Sequence, residues 1–274
     1  ENPSLIETKQ FLNSTFTDNY RGIYVNSNPG CKIKGNDISI HKTGTIFLNP
    51  DNDVDFGAYI ESCSTFTFEE NTISNATTGL YVYNSGSSAN TVKYNTFIGQ
   101  TNHFVLQPIV PSRLPTYNAI IVTGVNSNYV NGSPYNTGGV GLEILCNKFQ
   151  GNTNDIGVKD GYMRRYQGSS SDPTGNQFLA TDVSTRGHYQ FRTKYTNTGN
   201  STYNVYQYDY YQHDDDDNTS NYVCELQTNH YSSRVTPHTN YGQEYNEAYC
   251  QCNNGGGIDP PVPPIPDTLI IGIL

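Results

Sequence analysis

The chain of 274 residues has no tryptophan, a single methionine, and only 15 lysines and arginines against 25 acidic residues. Its cations are scattered and its formal net charge is −10, so the clustered Lys and Arg that a phosphate backbone demands are missing and nucleic acid is excluded as a partner. Helical periodicity is missing too. No stretch keeps apolar residues at i, i+3, i+4 and i+7 over three turns, which predicts almost no helix. The C-terminal run Thr268-Leu-Ile-Ile-Gly-Ile-Leu274 is far shorter than the ~20 apolar residues a membrane-spanning helix needs, and no membrane span is expected in this chain. The sequence starts at Glu1 with neither a basic n-region nor an apolar h-region, and both ends read as cut from a processed or longer chain. Six cysteines are too few for a cystine-dense scaffold.

What is plentiful is tyrosine, with 23 residues, and glycine, with 25. Together with 34% hydrophobic residues they favour extended strands with polar turns over packed amphipathic helices. Low charge density with many Asn, Ser, Thr and Tyr reads as a secreted, solvated surface, so the expected location is extracellular or at the cell surface. Asn-x-Ser/Thr sequons stand at Asn13, Asn75, Asn131, Asn200 and Asn218, but a chain this rich in Asn and Thr acquires several by chance.

An irregular phrase recurs along the chain. Gly22-Ile-Tyr-Val25 leads to Cys31-Lys-Ile33 and Asn36-Asp-Ile38; Gly57-Ala-Tyr-Ile60 leads to Phe66-Thr-Phe68 and Asn71-Thr-Ile73; Gly79-Leu-Tyr-Val82 leads to Thr91-Val92 and Asn95-Thr-Phe97. Ala119-Ile-Ile-Val122 and Gly141-Leu-Glu-Ile144 supply two later copies. From glycine to asparagine the first two copies span fourteen residues, the third sixteen and the last six. The stretch Gly141–Gly161 is the clearest single coil, with Leu142, Ile144 and Cys146 on one strand face and Ile156 with Val158 starting the phrase again. The spacing predicts an all-β fold, a right-handed parallel β-helix, in which short strands pair with their equivalents one coil away and inward Ile, Val, Leu and Phe stack into a continuous core. Asparagine suits the turns because its side chain bonds nearby backbone and the next coil, and glycine serves tight corners. A β-sandwich with Asn-Gly hairpins is the weaker alternative, since it does not require the repeated Gly-x-Tyr-apolar phrase.

The expected organisation is a β-helix over residues 1–187, with a loop insertion at about 100–140 marked by Pro108, Pro111 and Pro115 and by the polar run from Asn126 to Gly139. A tyrosine-rich C-terminal β cap follows over 188–253, where Tyr206, Tyr208 and Tyr210 share one strand face, and covers the open sheet edge of the last coil. Residues 254–274 read as a Gly/Pro-rich linker of polyproline type.

Chemistry is harder to find. Cys31 and Cys63 follow comparable phrases and fit either a disulfide between coils or two buried thiols. Cys146 reads as a small buried hydrophobe, and Cys224 with Cys250 or Cys252 as a disulfide that ties the cap. Asp214, Asp215, Asp216 and Asp217 are the densest charge; they offer oxygens to calcium, but the spacing of a Ca²⁺ loop is lacking and a solvated turn is the plainer reading. No other cofactor is implied. Paired carboxylates for glycoside hydrolysis are not evident: Asp155 and Asp160 fall at or near turns and Glu143 is isolated. Gly187-His188 and Arg192-Thr-Lys194 are similar to two polygalacturonase motifs, but lie too close together and lack a preceding Asp-Asp. No catalytic residue is assigned.

The run Gly141-Leu-Glu-Ile-Leu-Cys-Asn-Lys-Phe149, continued by Asn152-Thr-Asn-Asp-Ile156, Tyr166-Gln-Gly-Ser-Ser170 and Gly175-Asn-Gln-Phe178, resembles the secreted right-handed β-helix modules of large Bacteroidota surface proteins. That resemblance implies export by type IX secretion and a C-terminal sorting domain, which this sequence does not contain. Asp267-Thr268-Leu269 likewise resembles a Bacteroidota O-glycosylation acceptor, with Thr268 as the modified residue. The expected function is a non-enzymatic, adhesin-like stalk that binds a polysaccharide or another surface protein, with Tyr206, Tyr208 and Tyr210 offering ring faces to the ligand. A carbohydrate-active enzyme, a lyase or a glycoside hydrolase, and a purely structural spacer are the alternatives.

Overall fold

A computed structural model describes residues 9–17, 19, 21–40, 56–99, 118–129, 139–152, 154–179, 189–194, 206–213 and 234–241. Every regular element among them is a strand. The chain opens with β1 (Gln10–Leu12) and β2 (Thr15–Thr17) and then runs through successive three-strand circuits. These are β3 (Arg21–Asn26), β4 (Lys32–Lys34), β5 (Asp37–Ser39); β6 (Phe56–Glu61), β7 (Thr67–Glu69), β8 (Thr72–Ser74); β9 (Thr78–Tyr83), β10 (Asn90–Lys93), β11 (Thr96–Ile98); and β12 (Asn118–Asn126), β13 (Leu142–Leu145), β14 (Lys148–Gln150). The last circuits comprise β15 (Asn154–Met163), β16 (Tyr166–Gln167), β17 (Gln177–Leu179), β18 (Tyr189–Lys194), β19 (Tyr208–His213) and β20 (Val235–Tyr241).

Each strand pairs in parallel with its counterpart one circuit away. Sheet one is β1-β4-β7-β10-β13, sheet two β2-β5-β8-β11-β14-β17, and sheet three β3-β6-β9-β12-β15-β18. Three sheets wound by one chain, every strand pairing parallel, make a parallel β-helix. Because parallel pairing in register puts like positions on top of one another, the inward residues form columns. Ile33, Phe68, Val92 and Ile144 line sheet one; Ile38, Ile73, Phe97, Phe149 and Phe178 line sheet two; and Ile23, Ala58, Leu80, Ile120, Ile156 and Phe191 line sheet three. All of these are essentially excluded from water. The sheet-two column ends in a stack of rings, Phe97 on Phe149 at 5.5 Å and Phe149 on Phe178 at 5.2 Å, with interplanar angles of 11° and 12°.

The turn between sheets one and two carries the recurring asparagine. Asn36, Asn71, Asn95, Asn147 and Asn176 are all buried, and each of the first four donates its side-chain amide to the Oδ1 of the next. The same Oδ1 atoms also accept the backbone N–H of the previous asparagine in the ladder. Buried polar groups at a corner would otherwise lack partners, and the ladder satisfies them coil after coil. Glycine has an equally local cause at the start of sheet-three strands: a Cβ on Gly57 would come within 2.6 Å of the carbonyl oxygen of Gly79 in the next coil.

Four expectations change. Gly141-Leu-Glu-Ile144 is not another copy of the Gly-x-Tyr phrase: β13 pairs with β10 in sheet one, which explains its short distance to Asn147. The stretch 100–140 is not one insertion, because β12 lies inside it and belongs to sheet three. Asp155 and Asp160 lie within β15 rather than at turns. Beyond residue 187, β18 still extends sheet three, whereas β19 and β20 join β16 in a separate parallel sheet of three. The break between sheet one and that fourth sheet has a visible cause. The Gln167 side chain lies between β13 and β16, accepting from the Ile144 N–H at 2.9 Å and donating to the Leu142 carbonyl at 3.1 Å, where a strand backbone would otherwise stand.

Candidate functional site

The outward positions of sheet three form two neighbouring columns that run along the axis. The first holds Tyr24, Tyr59, Tyr81, Ile121, Gly157 and Arg192 in register; the second holds Asn26, Glu61, Tyr83 and Thr123. This is the third residue of each Gly-x-Tyr phrase and the second residue after it, which strand alternation turns away from the core. Tyr59 and Tyr81 are stacked at 4.8 Å with an interplanar angle of 6°, so each covers a face of the other. Tyr24 is tilted by 51° against Tyr59 at 5.3 Å and is 55% exposed. Phe56 packs against Tyr59 at 5.3 Å, under the guanidinium of Arg21.

Polar groups edge this aromatic ladder. The Tyr24 hydroxyl donates to Glu61 Oε2 at 2.6 Å and accepts from Asn26 Nδ2 at 3.2 Å. Thr123 Oγ1 donates to the Tyr81 hydroxyl oxygen at 3.0 Å, which leaves the Tyr81 O–H itself to donate outward. Burial, followed by the neighbouring Tyr81 and Glu61, pushes the Tyr59 phenol up to about 12. The hydrogen bond to Glu61 likewise raises Tyr24. These phenols therefore stay protonated donors across ordinary pH. The face is a strip of ring edges and hydroxyls repeated once per coil.

The anticipated binding tyrosines lie elsewhere. Tyr208 and Tyr210 are 0% exposed, turned into the core beside Phe191, and Tyr206 is stacked on Tyr162 at 4.2 Å. Tyr208 and Tyr210 do share a strand face, but it is the inner one, so their rings are not offered to a ligand, whereas Tyr206 is partly buried. Tyr210 instead receives the last asparagine of the ladder, Asn176, at 2.9 Å. Asp214, Asp215, Asp216, Asp217, Cys224, Cys250, Cys252 and Thr268 lie outside the described residues. Among the described residues no group of three or more His, Cys, Asp or Glu could hold a metal ion, and no helix is long and apolar enough to cross a membrane.

The cysteines also differ from expectation. Cys31 and Cys63 are both free and buried, so the thiol alternative holds and the disulfide one does not. Cys31 stands one residue before the Lys32–Thr67 pair, opposite Phe66, and Cys63 lies three residues earlier in the next coil. A hydrogen bond between the two thiols raises Cys31 and lowers Cys63. Cys146, read as a lone hydrophobe, is disulfide-bonded, with a partner outside the described residues. It stands at φ 56° in the turn after β13 and is only half-buried.

Three clusters of charge elsewhere are internally matched. Lys32, Lys34 and Lys93 converge on Glu69 at 3.3–3.6 Å across β4, β7 and β10. Arg164 pairs with Glu143, and Asp209 is held between Arg165 at 2.6 Å and His238 at 2.8 Å. These carboxylates tie strands together and none stands opposite a second carboxylate across a cleft.

Residues 8–133 match the family model described as a right handed beta helix region. No curated protein and no solved structure matches the chain. The matched span covers the first three full circuits and β12, in which the columns and the asparagine ladder are already established. The fold is a right-handed parallel β-helix.

Proposed function

We propose that this chain is an extracellular, adhesin-like β-helix module that binds a polysaccharide along the outer face of sheet three without cleaving it. The observation that carries this reading is the outward strip of Tyr59, Tyr81 and Tyr83 beside Glu61, in which phenol edges recur on successive coils, the Tyr81 O–H is left to donate and Glu61 is held through Oε2 by Tyr24. In the core, Tyr210 accepts from Asn176; a row of outward donors and acceptors at strand spacing, about 4.8 Å, matches a linear polymer of hydroxylated rings lying parallel to the axis. Tyrosine combines a large apolar body with a polar tip, the combination that recognises sugars. The absence of a facing carboxylate pair on this strip favours binding over hydrolysis, since glycoside cleavage uses two carboxyl groups at a set separation. Export by type IX secretion and membership in a larger surface protein remain part of the proposal through the motif resemblance alone.

Retention on a panel of immobilised polysaccharides, run beside an assay for new reducing or unsaturated ends, tests it. The expected result is retention without product. Replacing Tyr59, Tyr81 and Tyr83 together by Phe keeps the rings and the ladder but removes the hydroxyls, and should weaken retention at least tenfold with thermal unfolding unchanged. Product formation would make the protein an enzyme, and no retention on any polysaccharide would leave a structural spacer.

A further inference from the structure

Strands β3, β6, β9 and β12 of sheet three carry no lysine and a single arginine, Arg21, whose guanidinium lies over the Phe56 ring. Lysine enters this sheet only at Lys159 on β15 and at its register partner, Lys194 on β18. Glu61 is the one carboxylate on the first four strands. Glu69, Glu143 and Asp209, on other strands, are each held by cations, whereas Glu61 forms no ion pair with a described residue. A solvated carboxylate needs no counter-ion; what sets Glu61 apart is how it is held. Ser27 Oγ donates to Asn26 Oδ1 at 2.7 Å, Asn26 Nδ2 donates to the Tyr24 hydroxyl oxygen at 3.2 Å, and the Tyr24 O–H donates to Glu61 Oε2 at 2.6 Å. That relay fixes one carboxylate oxygen and leaves Oε1 without a donor among the described residues. Aromatic rings surround the carboxylate. Tyr59, two residues earlier on β6, is stacked on Tyr81, and Tyr83 is the register partner of Glu61 itself.

Aromatic ring faces carry negative potential and attract a cation placed over them. An ionised oxygen held beside such rings adds a charge-assisted hydrogen bond. A primary ammonium, with three N–H donors and no acceptor, uses both features at once. We infer that the ligand of this face is an amino-sugar polymer with free ammonium groups, one of them seated on Glu61 Oε1 beside the Tyr59 and Tyr81 rings. This inference rests on the glycan-binding reading and names the ligand class within it. The phenols decide for a sugar over a basic peptide. The hydroxyls of Tyr59 and Tyr83 bond to no described residue and that of Tyr81 has its O–H left to donate, so hydroxyl partners for neighbouring sugars flank the ammonium position. A net charge of −10 attracts cationic polymers to the whole surface, so the seat at Glu61 has to be separated from that general field.

The test is calorimetric titration of the whole chain with a glucosamine hexasaccharide, with its fully N-acetylated counterpart and with hexalysine, in a mildly acidic buffer that keeps the sugar amines protonated. The glucosamine chain should bind about tenfold or more tightly than the acetylated chain, and more tightly than hexalysine. Its advantage over the acetylated chain should collapse as salt rises from about 0.01 M to about 1 M, where the screening length falls from about 30 Å to about 3 Å. Glu61→Gln removes the charge but keeps an acceptor for the Tyr24 hydroxyl, and should bind the amine and acetylated chains alike. Asp37→Asn makes the same change of net charge at an exposed residue of β5 in sheet two, and should leave the preference intact. A preference that is absent, that survives in Glu61→Gln or in high salt, or that Asp37→Asn removes equally well overturns the amino-sugar inference while leaving glycan binding intact. Hexalysine bound as tightly as the glucosamine chain overturns it in favour of a basic peptide. No binding of any oligosaccharide overturns both readings.

Discussion

Asn71 donates its side-chain amide to Oδ1 of Asn95 at 3.0 Å, and Asn95 donates in turn to Asn147 at 2.9 Å, in a turn from which water is excluded. Neither residue belongs to a strand, yet each one closes the hydrogen-bond accounts of two coils. Asn95 also donates to the Phe68 and Lys93 carbonyls and accepts the Asn71 backbone N–H at 2.9 Å. Asn95→Ala would strand several buried groups, each worth about 1–3 kcal/mol when left unsatisfied. The expected loss in a urea titration is about 3 kcal/mol or more, and a loss within error of an exposed substitution would mean that water replaces the ladder.

Aromatic stacking in the sheet-two column yields a second expectation. Phe149 lies between Phe97 and Phe178 with 1% of its surface exposed. Phe149→Ala should cost about 3–5 kcal/mol, the range for emptying a buried aromatic site. Ile98, one residue beyond Phe97 but facing outward at 37% exposure, should tolerate Ala within about 0.5 kcal/mol. Similar losses at both sites in chemical denaturation would contradict the inward and outward assignment.

Glu69 predicts an acid-sensitive stability. Burial acts to raise its carboxyl, but Lys32, Lys34 and Lys93 outweigh it and hold the group below its ordinary value. A depressed folded value stabilises the fold fully above the unfolded value, about 4.3, and that contribution fades as pH falls through the lower folded one. Thermal unfolding followed between pH 6 and pH 3 should show a drop that is smaller in Glu69→Gln; an unchanged profile in that variant would assign the acid sensitivity to other carboxylates.

The sulfur chemistry is open to peptide mapping. Cys31 and Cys63 are fully buried thiols, so iodoacetamide should label neither in the native protein and both in denaturant without reductant. Cys146 should be labelled only after reduction, because it is already bridged. Recovery of a Cys31–Cys63 cystine peptide, or of alkylated Cys146 before reduction, would reverse these assignments.

Much of this was legible from residue order. The phrases Gly22–Val25, Gly57–Ile60 and Gly79–Val82 became β3, β6 and β9, and the Asn-x-Ile and Asn-x-Phe phrases became the ladder turn and the start of sheet two. They were readable because a solenoid repeats one local solution, so each coil restates the same inward and outward alternation. Gly141–Ile144 was misassigned for the same reason: a glycine followed by alternating apolar residues looks alike in sheet one and sheet three, and only pairing with β10 distinguishes them. Tyr206, Tyr208 and Tyr210 showed a further ambiguity, since period-two alternation groups residues on a face without saying which face is inside.

By itself, the sequence determined the strand content, the parallel repeat, the asparagine corner and the polar, acidic character of the surface, because these follow from short-range alternation and composition. Tertiary structure alone decided that Tyr59 stacks on Tyr81, that Cys31 meets Cys63 as a thiol, and that Lys159 stands beside Lys194. Each of those pairs is separated by 22 to 35 residues of unequal loops. Register between coils is set by core packing and not by sequence distance, so no spacing rule could have brought them together on the page.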